Sequence, residues 1–114
     1  MLENQITVRD ADSDAREWKE NIDQLRAKID IIDESLLYTF ASRMKISREI
    51  GEYKKNNNIA ILQTSRWDAV LAKVVEKGAE YGLSEKFLND VFNAIHEASV
   101  EVQNEIISGS SSIE

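Results

Sequence analysis

The feature that most constrains this chain is an apolar stripe in its first half that does not break. Trp18, Ile22, Leu25, Ile29, Ile32, Leu36, Phe40 and Met44 recur at steps of three and four residues, and the pattern continues to Ile50. That is the period of an α-helix with one buried face. The chain has no Pro to interrupt it. Gly51 sits among helix formers, where one Gly costs only about 1 kcal/mol, so the expected stop is Asn56-Asn57-Asn58. A helix of roughly 40 residues is about 60 Å long, well beyond the diameter of a compact domain of 114 residues. Its stripe calls for a second chain to cover it.

Two shorter helices follow. Ile59 to Gln63 read as a loop, with Thr64 or Ser65 placed to accept from the first free amides of a helix carrying Trp67, Val70, Leu71, Val74 and Val75. Gly82 suits its left-handed C-terminal cap. Ser84 caps a third helix, whose apolar positions Phe87, Leu88, Val91, Phe92, Ile95, Ala98, Val102 and Ile106 run up to the polar stretch at Ser108. The fold class expected is all-α: one very long, one short and one medium helix. Residues 1–14 read as a leader or linker remnant, 15–107 as one helical domain, and 108–114 as a flexible tail.

Composition narrows the chemistry. The chain has no Cys and one His, so neither a disulfide framework nor a metal centre is expected. A net charge of −7 repels nucleic acid and anionic membranes at long range, and neither is expected as a partner. No N-terminal signal or apolar run of membrane length is present, and a cytoplasmic protein is expected. A small anion is still admissible, because a few converging cations dominate the field at contact distance.

The informative positions are polar residues inside apolar helices. Arg43 and Lys54 are eleven residues apart, which returns to nearly the same helix face. Ser99 and Gln103, four apart, are neighbours beside the apolar stripe of the third helix. Taken singly, each reads as a solvated or snorkelling side chain. Asp30 and Asp33 read as solvated, His96 beside Glu97 as exposed, and Trp18 and Trp67 as packing residues.

Together they form a recognisable set. Leu25-Arg26-x-x-Ile29-Asp30-x-x-Asp33-x-x-Leu36-Leu37, then Arg43, Gly51-x-x-Lys54, Arg66 and Ser99-x-x-x-Gln103 resemble the all-helical chorismate mutases, from about Ile22 to Gln103. The resemblance implies an intertwined homodimer that swaps its long helices, and rearrangement of chorismate to prephenate without cofactor. It implies a site in which Arg43, Lys54, Arg66, Ser99 and Gln103 come from one chain and Arg26 from the other. Helix geometry agrees on Arg26, since seventeen residues span about 25 Å along one helix, too far for Arg26 and Arg43 to grip one small molecule from the same chain.

The match departs from the family where Pro, an acidic residue and Arg-Glu commonly precede and open the second helix. Here those positions are Ala60, Gln63, Arg66 and Trp67. Gln63 or a backbone group is the expected substitute contact for the substrate's ring hydroxyl, a role the resemblance gives to the missing Glu. The resemblance implies domains that occur fused to other shikimate-pathway enzymes, notably 3-deoxy-7-phosphoheptulonate synthase and prephenate dehydratase, and makes the synthase a candidate fused or associated partner. Isochorismate-pyruvate lyase and a mainly regulatory ligand-binding module are the competing readings of the same scaffold.

Overall fold

The computed structural model describes residues 11–61 and 64–109. Within them are three α-helices and no strand: α1 (Ala11–Asn57), α2 (Thr64–Glu80) and α3 (Glu85–Ser108). The chain divides into two compact units at Phe40/Ala41.

The first unit carries the N-terminal part of α1, and its apolar residues stand in the open. Trp18, Leu25, Ile29, Ile32 and Leu36, which form the expected stripe, are each exposed. The helix starts at Ala11, four residues inside the segment read from sequence as a leader. Asp12 and Asp14 occupy its first turn, where carboxylates oppose the positive end of the helix dipole. The rest of that expected leader, and the expected tail from 110 onward, lie outside the described residues.

The second unit is built where α1 ends and α2 and α3 follow. Local chemistry sets each boundary. Asn58 adopts a left-handed φ of 54°, and the Ile59 amide bonds back to the Lys54 carbonyl at 2.9 Å, the six-to-one closure of a Schellman cap. At the end of α2 the same device recurs: Gly82 has φ 77°, Leu83 N–H reaches Gly78 O at 3.0 Å, and Gly82 N–H reaches Ala79 O at 3.1 Å. The Ser84 hydroxyl accepts from the Phe87 amide at 3.1 Å and opens α3, and Gly109 closes it in a left-handed conformation. Thr64 is already the first residue of α2, so neither Thr64 nor Ser65 stands in the cap position before the helix, which lies outside the described residues.

Two glycines permit close helix approach. A Cβ on Gly78 would collide with Leu88 Cδ1, and Leu88 is the one apolar residue at the buried limit among those described. A Cβ on Gly51 would lie 3.2 Å from Gln103 Cα and 3.4 Å from Ile106 Cβ. Gly51 is therefore a contact surface between α1 and α3, beyond being a tolerated helix defect. The other deeply buried side chains are polar: Ser47, Ser99 and Gln103. No described helix is long and apolar enough to cross a membrane.

Candidate active site

A cavity of about 340 Å³ opens in the second unit, within the size range of small-molecule sites. Arg43, Ser47, Ile50 and Lys54 reach it from one face of α1, Arg66, Trp67 and Val70 from α2, and His96, Ser99 and Gln103 from α3. Five of the seven residues singled out from sequence thus meet in one place.

Hydrogen bonds between helices hold the polar groups. Arg43 Nη1 donates to Ser99 Oγ at 2.6 Å, and Ser47 Oγ donates to the same oxygen at 3.0 Å. Lys54 Nζ donates to Gln103 Oε1 at 3.0 Å and to the Ile61 carbonyl at 2.7 Å. Burial pushes the Lys54 pKa below its ordinary value, because desolvation penalises the ammonium. Among the described residues, no buried side-chain nitrogen or oxygen lacks a partner, so the network carries no orphaned group. Such mutual bonding fixes side-chain orientation before any ligand arrives, which is the condition for preorganised electrostatics.

The two remaining expected residues are placed differently. Arg26 belongs to the first unit, where its side chain is 72% exposed and lies 3.8 Å from Asp23. Gln63 is outside the described residues. Asp30 and Asp33 are exposed, in keeping with solvated carboxylates.

Sequence reasoning overlooked three groups. Ser47 is buried and bonded to Ser99; its signal was a position four after Arg43 and seven before Lys54, on the same helical face. His96 is half-buried rather than exposed, because its ring stacks on Trp67 with centroids 4.0 Å apart and planes 10° from parallel. Trp67 packs as expected, yet it also lines the cavity. Among the described residues no His, Asp or Glu cluster could hold a metal ion.

The sequence model of chorismate mutase type II matches residues 25–104, a span that contains Arg26 and every residue of the cavity. The chain belongs to the chorismate mutase type II family. It is therefore an enzyme of the isomerase class. It is 30% identical over 86 residues to a 4-amino-4-deoxychorismate mutase of Streptomyces pristinaespiralis, covering 75% of this chain and 67% of that protein. The corresponding protein of Streptomyces venezuelae is 28% identical, with 76% and 84% covered. A bifunctional chorismate mutase/prephenate dehydratase of Aquifex aeolicus is 33% identical over 83% of this chain but only 24% of its own length. The two-activity relatives among these matches pair the mutase with a prephenate dehydratase, one of the two fusions named from the resemblance, rather than with the synthase favoured as candidate partner. No solved structure matches the chain significantly.

Proposed function

We propose that this chorismate mutase family member rearranges chorismate to prephenate, in a site completed by a second copy of the chain. The reaction breaks a C–O bond and forms a C–C bond in one step, so it needs no nucleophile. What it needs is a compact substrate conformation and stabilisation of charge growing on the ether oxygen. The observation that carries the reading is the Lys54–Gln103 bond across the cavity. With Gln103 Oε1 held by the ammonium, its amide nitrogen and the remaining Lys54 proton are left to donate to one ligand oxygen. In this reading that oxygen is the ether.

Arg43 and Ser99, already bonded to each other, bind one carboxylate, and Arg66 lies on the α2 wall for further anion contact. Arg26 of the second copy binds the other carboxylate, and Gln63 contributes to the ring hydroxyl. The exposed apolar residues of the first unit support that second copy, since a row of Trp, Leu and Ile in water is costly and an intertwined dimer covers it. Attachment to another shikimate-pathway enzyme, the synthase included, belongs to the same proposal and is supported by the existence of two-activity relatives.

Following chorismate absorbance with the purified chain tests the reading. Conversion to prephenate above the uncatalysed rate is the expected result. No conversion would overturn it, and pyruvate release from isochorismate in place of prephenate formation would move the assignment to the lyase.

A further inference from the structure

A serine or threonine on a helix has a ready partner in the carbonyl one turn back. Thr39 takes it, donating to Ser35 O at 2.8 Å. Ser47 and Ser99 do not. Ser47 Oγ instead crosses from α1 to α3 and donates to Ser99 Oγ at 3.0 Å, the oxygen that Arg43 Nη1 reaches at 2.6 Å. Arg43 and Ser47 are four residues apart, so donors from successive turns of α1 converge on one hydroxyl. Both serines are buried, at 5% and 6% exposure, and both line the cavity.

Stability does not account for the pair. Burying two hydroxyls carries a desolvation penalty that their mutual bond offsets. Alanine at both positions would bring neither effect, and such a replacement is close to neutral. What the hydroxyls supply is direction. A serine oxygen has two lone pairs and one proton. With Arg43 and Ser47 on the lone pairs, the proton is the one position of the Ser99 hydroxyl left to engage, and no backbone carbonyl takes it. The direction matters to an anion. A carboxylate only accepts, so a Ser99 whose proton turned back onto its own helix would meet it lone pair to lone pair.

We propose that Ser47 is a positioning residue of this site: its bond to Ser99, made alongside Arg43, holds the Ser99 proton toward the substrate carboxylate that Arg43 and Ser99 bind. The inference rests on the mutase reading above and adds a residue to it. Without the Ser47 donor, one lone pair of Ser99 is open and its proton is free to swing to the carbonyl one turn back. The carboxylate is present in the ground state and the transition state alike, so the loss falls on KM and leaves kcat in place.

Ser47→Ala, Ser99→Ala and the double variant, assayed on chorismate beside the wild type, make the test. Alanine is smaller than serine and favours helix, and circular dichroism verifies each fold. Ser47→Ala is expected to raise KM about fivefold with kcat unchanged, the scale of one hydrogen bond. Ser99→Ala is expected to raise KM at least as much. Adding Ser47→Ala to it is expected to change nothing further, since the group that Ser47 orients is gone. A merely structural hydroxyl would not produce that split. Parent-like kinetics in Ser47→Ala, a loss confined to kcat, or a KM effect that persists in the Ser99→Ala background overturns the inference and leaves the mutase reading standing. No conversion of chorismate by the wild type overturns both.

Discussion

Lys54 donates to Gln103 Oε1 across 3.0 Å, joining the last turn of α1 to the last two turns of α3 in the lining of the cavity. The bond makes the protonation of one residue and the orientation of the other a single property of the site, and most of what can be tested follows from it.

The Lys54 ammonium is held below its ordinary pKa by burial. If it serves the ether oxygen, kcat/KM should fall as pH rises through that depressed value, because the neutral amine loses the charge that the transition state needs. A bound dianion favours the ammonium, so the corresponding limb in kcat should lie at higher pH. Stability should move the other way. With the folded pKa depressed, the unfolded chain binds more protons between the two pKa values, and folding is favoured as pH rises through that window. Lys54→Arg should abolish the alkaline limb, whereas Lys54→Ala should lower turnover by about 3 kcal/mol in activation free energy. Paired pH–rate and pH–melting profiles check this; a shared midpoint for lost activity and lost structure would refute it.

Gln103→Glu places a carboxyl against the Lys54 ammonium. Ionised, it repels charge growing on the ether oxygen; protonated, it can donate. Activity of the variant should therefore fall as pH rises through the new carboxyl's pKa, which the neighbouring ammonium holds low. The parent should show no such acidic-range decline. Identical profiles would remove Gln103 from the ether oxygen.

Arg26 is exposed in the first unit and is assigned to the partner's site. Mixing an inactive Arg26→Ala chain with an inactive Lys54→Ala chain, under conditions of subunit exchange, should restore one working site per heterodimer. The other site would carry both lesions. Verified heterodimers without activity would show that Arg26 does not act across chains.

Gly51→Ala probes the spacing beneath Gln103. The added methyl should gain up to about 1 kcal/mol of helix propensity but meets Gln103 Cα at 3.2 Å, and overpacking of this kind costs about 1–3 kcal/mol. We expect a small net loss of stability and about a tenfold loss of kcat/KM as α3 is displaced from Lys54. Kinetics indistinguishable from the parent would show that the site tolerates the shift.

Much of this architecture is readable without coordinates because its boundaries are local chemistry. Asn57-Asn58, Gly82 and Ser84 end and begin helices through backbone conformations and caps that depend on a few neighbouring residues. The pairs Arg43/Lys54 and Ser99/Gln103 follow from same-face spacing within single helices. What spacing cannot convey is contact between helices. Ser47 looks like a surface hydroxyl until Ser99 is opposite it, and His96 looks exposed beside Glu97 until Trp67 lies over its ring. Gly51 illustrates the same limit: its helical context predicts tolerance, and only the proximity of α3 shows a requirement. α1 reaches into the segment read as a leader because its first turn is marked by acidic charge and not by apolar period.

Lys54 also fastens the chain that leaves α1. Its carbonyl receives the Ile59 amide and its ammonium reaches the Ile61 carbonyl, so one residue secures the turn through both main chain and side chain. A ligand oxygen that draws on the ammonium competes with that fastening, and removing the ammonium slackens it. Kinetic loss on truncating Lys54 is then a sum of chemistry and of anchorage, and a double-mutant cycle with Gln103 isolates the part that belongs to their pairing.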